Sequence, residues 1–152
     1  MSARIALASD HAATALRSAL IAHARASEHV VIDLGPHRVG PVDYPDYGRL
    51  LADAVANGQA DFGVALCGSG IGISIAVNRH PALRCALVSD PVSAALARAH
   101  NDANAIAMGA RLIGEDMAKA CLDAFLATDF EGGRHAARVA KLSLPFSVKE
   151  PA

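Results

Sequence analysis

Five apolar runs alternate along the chain with five stretches of helical periodicity. The runs are continuously apolar, which indicates strands that are buried on both faces. The repeated strand–helix order favours parallel strands joined by right-handed crossovers. We therefore predict an α/β fold, a doubly wound, Rossmann-like sheet of five parallel strands flanked by helices. The predicted strands are 4–9, 30–34, 61–67, 84–89 and 104–108, and the predicted helices cover about 12–27, 46–58, 71–79, 91–100 and 114–127.

Length and composition suit one domain of this type. The chain has 152 residues, of which 53% are apolar and only 4% are aromatic, so Ala, Val, Ile and Leu must build the core. A core of that kind is typical of a parallel sheet covered by Ala-rich helices. We expect a single domain over 1–152, with a loop at 35–45 and a C-terminal helical tail over 128–152.

Charge and cysteine content exclude several classes of protein. Fourteen basic residues stand against 15 acidic ones, so the net charge of −1 gives no general attraction for nucleic acid or an anionic membrane. We find no export signal and no apolar stretch long enough to span a membrane. The cysteines at 67, 85 and 121 have neither disulfide-framework nor metal-ligand spacing, which favours a reducing cytoplasm.

Polar side chains follow the predicted strands. In doubly wound sheets, ligands bind outside the carboxyl ends of the strands, so these side chains mark the expected site. Asp90 also precedes Pro91, and we favour a helix-capping role for it. The residues after the five strands are Ser9-Asp10-His11, Gly35, Cys67-Gly68-Ser69, Ser89-Asp90 and Gly109-Ala110-Arg111.

The third strand ends on a thiol beside a glycine-rich turn. Cys67 is followed at once by Gly68-Ser69-Gly70-Ile71-Gly72, after which a helix begins. Unpaired N–H groups and the helix dipole make such a turn a binding site for anions, and they would also stabilise a thiolate. Cys67 is therefore a candidate base or nucleophile. The alternative is that Cys67 is a small buried apolar residue.

The same turn lacks the features of nucleotide-binding loops. The dinucleotide fingerprint G-x-G-x-x-G needs a third glycine, and the corresponding positions are Ile73 and Ile75. The G-K-[ST] ending of a P-loop is missing as well. An oxyanion or a small phosphate is therefore the expected ligand.

Two histidine-containing segments are candidates for proton transfer. Asp10-His11 can form an acid/base pair or cap the first helix. His100-Asn101 ends the fourth helix, where His100 can act as a general acid/base or cap carbonyl groups.

Two arginines near the C-terminus form a candidate phosphate site. Arg134 and Arg138 follow Gly132-Gly133, and a spacing of four places both on one face of a short helix. The alternative is a solvated basic face on the tail.

Together these segments resemble the ribose-5-phosphate isomerase type B family, which also includes allose- and galactose-6-phosphate isomerases. Six motifs occur in the family's order along nearly the whole chain, and this makes the resemblance far more specific than any one of them. They are Asp10-His11, Asp43-Tyr44-Pro45, Cys67-Gly68-Ser69-Gly70-Ile71-Gly72-Ile73-Ser74, His100-Asn101-Asp102, Gly109-Ala110-Arg111 and Glu131-Gly132-Gly133-Arg134-His135-x-x-Arg138.

The resemblance implies reversible aldose–ketose isomerisation of a phosphosugar, without metal or organic cofactor. It also implies a homodimer, or a dimer of dimers, whose active sites draw residues from both subunits. Its catalytic residues would be Cys67 as the carbon base, His100 with Asp10 for ring opening, and Ser69 as a hydrogen-bond donor. Its substrate-binding residues would be His11, Tyr44, Gly68, Gly70, Ile71, Gly72, Asn101, Arg111, Arg134 and Arg138.

The chain departs from some family members at two positions. Ser69 stands where several members carry Thr, and it keeps the hydroxyl group. Ile73 stands where other members carry a Glu base, so this chain resembles the type that uses cysteine. Ribose 5-phosphate is the expected substrate; another phosphosugar, or a non-catalytic phosphosugar-binding module, is the alternative.

Overall fold

The predicted parallel sheet is confirmed. The computed structural model describes residues 2–145, so 146–152 at the end of the predicted tail lie outside the described residues. All pairings in the five-stranded sheet are parallel, and the strand order is β2-β1-β3-β5-β4. The strands are β1 (Arg4–Ser9), β2 (Val30–Asp33), β3 (Phe62–Cys67), β4 (Cys85–Leu87) and β5 (Ala105–Gly109).

Helices connect the strands within two residues of the predicted bounds. The second helix begins at Tyr44 rather than at 46, because Pro45 fits its first turn and Asp43 precedes it in an extended conformation. The helices are α1 (Thr14–Ala26), α2 (Tyr44–Ala56), α3 (Ile71–Val77), α4 (Pro91–Asn101), α5 (Glu115–Leu126) and α6 (Ala136–Leu142), with 3₁₀ turns at His11–Ala13 and Gly133–His135. None of these helices is long and apolar enough to cross a membrane.

The sheet separates two apolar layers. Helices α1, α4 and α5 pack together on one side, and α2 packs against α3 on the other. Along β3, Leu66 belongs to the first layer and its neighbour Cys67 to the second, as the two-residue period of a strand requires. Phe125 and Leu51, one in each layer, are fully buried. Burial of side chains this size stabilises the fold by about 1.5–3 kcal/mol each.

The parallel arrangement fixes which ends of the elements meet. Each strand runs toward one edge of the sheet, which we call the carboxyl edge, and each crossover helix returns toward the opposite, amino edge. Cys67 ends β3 at the carboxyl edge, whereas Asn101 ends α4 at the amino edge. The functional candidates at strand ends and those at helix ends therefore form two separate groups.

Candidate functional site

Cys67 is held against the turn that follows it. Its side chain is buried, with only 4% of the residue exposed. The Gly70 N–H donates a hydrogen bond to Cys67 Sγ at 3.1 Å. Helix α3 begins at the next residue, so the sulfur faces the positive end of that helix. The thiol therefore has a backbone N–H partner next to a helix N-terminus.

Gly70 must be glycine for two reasons. Its φ angle is +78°, in the left-handed region that other residues rarely adopt. A Cβ at this position would also lie 2.7 Å from the backbone carbon of Met108 in β5. The turn therefore passes directly over the neighbouring strand, and this close approach delivers the Gly70 N–H to the sulfur.

The hydroxyl of Ser69 is oriented by the same turn. The Ile71 N–H donates a hydrogen bond to Ser69 Oγ at 3.2 Å. The N–H groups of Gly70 and Ile71, both expected to face a ligand, are thus partly occupied by Cys67 and Ser69. The side chains of Cys67 and Ser69 therefore both help to hold the conformation of this turn.

A cavity of about 320 Å³ opens above this turn. The phenol ring of Tyr44 lies across Gly72, where a Cβ would come within 2.7 Å of a ring carbon. Arg111 lies over Gly68, and its backbone N–H donates to the Gly68 carbonyl at 3.0 Å. The cavity is lined by Asp10, Tyr44, Cys67, Gly68, Ser69, Gly72, Arg111 and Leu112.

Asp10 caps the first 3₁₀ turn and also lines the cavity that contains Cys67. Its carboxylate accepts a hydrogen bond from the Ala12 N–H at 2.9 Å and so caps the first 3₁₀ turn. The side chain also lines the same cavity as Cys67, although the residue is largely buried. The hydrogen bond to Ala12 fixes the orientation of the carboxylate.

His11 lies at the rim of a neighbouring cavity of about 490 Å³. Its Nδ1 lies 3.2 Å from the backbone N–H of Val42, which connects the first 3₁₀ turn to the loop before α2. Arg38, from that same loop, lines the cavity with His11. The cavity therefore has positively charged guanidinium groups in its wall, from Arg17 and Arg38.

The sequence analysis did not identify Arg17, which supports this region. Arg17 is buried in α1, and its guanidinium donates to Ser9 Oγ and to the Pro36 carbonyl, both at 2.9 Å. It also forms an ion pair with Asp33 at 3.2 Å. A charged residue between Leu16 and Leu20 on the apolar face of α1 is the signal that could have identified it.

His100 and Asn101 lie at the amino edge, away from Cys67. The Gly63 N–H donates to the carbonyl of Asn104, just after the end of α4, and Gly63 is four residues before Cys67 in β3. At about 3.3 Å per residue, Gly63 and Cys67 are about 13 Å apart along this strand. One chain therefore does not bring His100 to the thiol.

His100 instead contacts the segment that contains the predicted arginines. Its ring stacks on His135, with centroids 4.4 Å apart and an angle of 9° between the ring planes. Glu131 Oε2 lies 3.8 Å from His100 Nε2 and 3.7 Å from His135 Nε2. Burial, with added repulsion from His100 and Arg134, lowers the pKa of His135.

Arg134 and Arg138 are exposed beside this histidine pair. Arg134 lies in the 3₁₀ turn and Arg138 in α6, so the predicted short helix is divided into two elements. The backbone N–H of Glu131 donates to the Ala99 carbonyl at 3.0 Å, which ties the segment to the end of α4. The predicted site residues thus form two clusters, one at each edge of the sheet.

Within residues 2–145, one group of side chains has the composition of a metal site. The ligand atoms of His100, Glu131 and His135 lie within 4.8 Å of one another. The cavity around Cys67 contains no comparable group among the described residues. A metal would therefore bind at the amino edge, next to the predicted phosphate-binding arginines.

Comparisons with known proteins agree with the sequence motifs. A family model described as ribose/galactose isomerase matches residues 5–142. The Escherichia coli protein ribose-5-phosphate isomerase B is 43% identical over 136 residues, which cover 90% of this chain and 91% of that protein.

Solved structures show the same fold. A ribose 5-phosphate isomerase from Thermotoga maritima aligns with a TM-score of 0.92 and 42% identity, covering 94% of this chain and 99% of that one. A type B ribose 5-phosphate isomerase from Trypanosoma cruzi aligns with a TM-score of 0.90 and 41% identity, covering 94% and 95% of the two chains.

Proposed function

This chain belongs to the ribose/galactose isomerase family, and we propose that it interconverts ribose 5-phosphate and ribulose 5-phosphate with Cys67 as the carbon base. The contact between Cys67 Sγ and the Gly70 N–H is the observation that most directly supports the choice of base. The Cys67 thiol lines a cavity, lies at the N-terminus of α3 and accepts a hydrogen bond from the Gly70 N–H.

The first step is opening of the sugar ring. His100 and Asp10 move a proton from the anomeric hydroxyl to the ring oxygen, which breaks the bond between that oxygen and C1 and leaves an open-chain aldehyde. An imidazole and a carboxylate can exchange protons in this way near neutral pH. The clusters at the two sheet edges supply one residue each to this step.

The second step moves a proton between neighbouring carbons. The Cys67 thiolate removes the proton from C2, and the electron pair forms the C1–C2 double bond of an enediolate. The same thiol then returns that proton to C1, the proton of the C2 hydroxyl passes to the C1 oxygen, and the C2 oxygen becomes the ketose carbonyl. No net electron transfer to the protein occurs, which is consistent with a reaction that needs no organic cofactor.

The charge on the enediolate oxygens needs hydrogen-bond donors. In this proposal the turn from Gly68 to Gly72 supplies backbone N–H groups, with Ile71 at the first position of α3 and the Ser69 hydroxyl beside it. Removing one such donor typically costs about 3 kcal/mol of transition-state stabilisation.

The phosphate is assigned to basic side chains from both clusters. His11 and Arg111 would bind it from the carboxyl edge, and Arg134 and Arg138 from the amino edge. Guanidinium groups bind phosphate in a two-point geometry that suits this task. Asn101 would orient the sugar oxygens, and Tyr44 would limit the sugar length.

We assign this complete site to a homodimer in which each chain supplies one cluster to each active site. A separation of about 13 Å along β3 is too large for the Cys67 and His100 clusters of one chain to share a pentose. Apolar surface on the monomer also supports association: Ile71 and Ile75 are exposed on α3, and α6 buries none of its residues. A dimer of dimers is compatible with the same contacts.

The expected cellular setting follows from the proposed reaction. The product and substrate are pentose phosphates, which places the enzyme in carbohydrate metabolism through the pentose phosphate pathway. Three free, buried cysteines suit a reducing cytoplasm. We propose that 1–152 is a single catalytic domain, because the five described strands form one sheet.

The proposal is tested by turnover on a matched set of sugars without added metal. Ribose 5-phosphate, allose 6-phosphate and erythrose 4-phosphate should be compared by following ketose formation. Preference for ribose 5-phosphate is the expected result, and preference for another sugar would overturn the assigned substrate while keeping the chemistry. Binding without turnover on all three would favour a phosphosugar-binding module instead.

A further inference from the structure

We propose that His100, Glu131 and His135 bind a divalent transition metal, with Zn²⁺ as the expected ion, and that the bound metal inhibits isomerisation. Metal binding depends only on His100, Glu131 and His135 at the amino edge of the sheet. The inhibitory half rests on the proposed function, because it requires His100 to take part in ring opening.

Two of the three distances between ligand atoms are close to the spacing that zinc requires. Both imidazole Nε2 atoms face the same carboxylate oxygen, Glu131 Oε2, at 3.8 Å from His100 and 3.7 Å from His135. Bonds of about 2.0–2.2 Å place the ligands of tetrahedral Zn²⁺ about 3.4 Å apart. The two histidine–carboxylate distances exceed this value by a few tenths of an ångström, and all three ligand atoms lie within 4.8 Å of one another. Imidazole and carboxylate are ligands that Zn²⁺ commonly uses.

The buried histidine has no other partner for one of its nitrogens. His135 Nε2 is inaccessible to solvent and makes no hydrogen bond within the described residues. A buried polar atom of this kind costs free energy unless something pairs with it. Its orientation toward Glu131 makes it available to a cation bound between the two side chains.

Metal binding requires one ring to move. Because the rings stack almost in parallel, their nitrogen lone pairs point in similar directions and do not converge. The His100 side chain is 37% exposed and that of His135 only 10%, so we expect His100 to tilt while His135 stays in place. Glu131 is held near both through its backbone bond to Ala99.

Positive charge near the three ligands lowers the affinity of this site for a metal ion. Arg134 and Arg138 belong to the same segment, and their positive charge opposes a divalent cation. We therefore expect reversible binding of modest affinity rather than a permanent structural metal. A lone pair of His100 that coordinates Zn²⁺ is unavailable for proton transfer, so binding and ring opening exclude one another.

Binding is tested directly by calorimetric titration of the purified chain with Zn²⁺, and by the visible absorption of Co²⁺ in the same site. One ion per chain is expected, and His135→Ala and Glu131→Gln should each weaken binding at least about tenfold. His23→Ala is the matched control, since His23 also pairs with a carboxylate, Asp123, at 2.7 Å. Its affinity should equal that of the wild type.

Two results would overturn the metal site. One is an unchanged affinity for metal in His135→Ala. The other is that Cys67→Ser loses metal binding together with an absorption band of cobalt bound to a thiolate, because the metal would then be bound by Cys67.

Inhibition is measured separately. Turnover of ribose 5-phosphate is followed at increasing Zn²⁺ concentration, and a chelator should reverse the inhibition. Binding without inhibition of an active enzyme would refute the inhibitory half alone. Binding by a chain that turns over no phosphosugar would keep the metal site and remove the proposed function.

Discussion

The sulfur of Cys67 and the backbone N–H of Gly70 are joined by a hydrogen bond of 3.1 Å across the turn between β3 and α3. The bond places the thiol at the positive end of a helix and inside a cavity. Cys85 and Cys121 also belong to the apolar layers, but they lie outside the cavity above this turn. This difference in surroundings gives the three thiols different expected chemistry.

Replacing Cys67 by Ser should abolish most turnover and leave substrate affinity nearly unchanged. A hydroxyl is a far weaker carbon base than a thiolate, and loss of a general base typically costs about 10²–10⁴-fold in rate. The measurement is kcat on ribose 5-phosphate together with ligand binding by calorimetry. Cys85→Ser is the control that changes a buried thiol outside the cavity, and it should stay active. Full turnover in Cys67→Ser would remove Cys67 as the base.

Alkylation should select Cys67 and inactivate the enzyme. Burial raises the pKa of Cys85 to about 12 and also raises the pKa of Cys121, so neither supplies thiolate near neutral pH. Treatment with iodoacetamide followed by peptide mapping should find the label at residue 67, in proportion to lost activity. Bound phosphosugar should protect. Label at Cys85 with full inactivation would contradict this assignment.

Gly70→Ala should both destabilise the chain and inactivate it. An alanine there adopts a left-handed conformation at a cost of about 1–3 kcal/mol, and its Cβ clashes with the backbone of Met108. Gly58→Ala is the matched control, because Gly58 has a φ of +72° and no atom within 4 Å of the added Cβ. Urea unfolding should show a larger loss for Gly70→Ala. Equal losses would mean that the turn can move away from β5.

Two inactive variants should restore activity when mixed. Cys67→Ser and His100→Ala each damage a different cluster, so a mixed dimer keeps one intact site of two. Random exchange makes half of the dimers mixed, and about a quarter of wild-type activity should return. The measurement is turnover after co-refolding, with each variant refolded alone as control. No recovery from dimers shown to be mixed would refute the shared site.

Acid should weaken the start of α4 through Asp90. The Ser93 backbone N–H, at 2.8 Å, and the Ser93 hydroxyl lower the pKa of this carboxyl group. Its stabilising effect is therefore complete above the unfolded value of about 3.9, and it is lost as pH falls through the lower folded value. Unfolding free energies of wild type and Asp90→Asn should differ at neutral pH and converge in acid. A constant difference would exclude the ionised cap.

The cap at Asp90 and the bounds of the strands are features that local sequence patterns predict correctly. The prediction for Asp90 is confirmed, because a cap depends only on residues within one helical turn. The strand and helix bounds agree within two residues for the same reason. Arg17 was missed because its partners, Ser9, Asp33 and Pro36, come from other elements that the fold brings together.

By itself, the sequence determined the parallel α/β architecture, the turn at Cys67 and the family, since apolar periodicity, glycine positions and ordered motifs are local properties of the chain. Only the tertiary structure decided that the candidate residues divide between two edges of the sheet. Cys67 ends a strand and His100 lies near the end of a helix that runs back, so strand direction places them at opposite edges of the sheet. The stacking of His100 on His135 was likewise decided by folding, because it joins residues 35 positions apart in sequence.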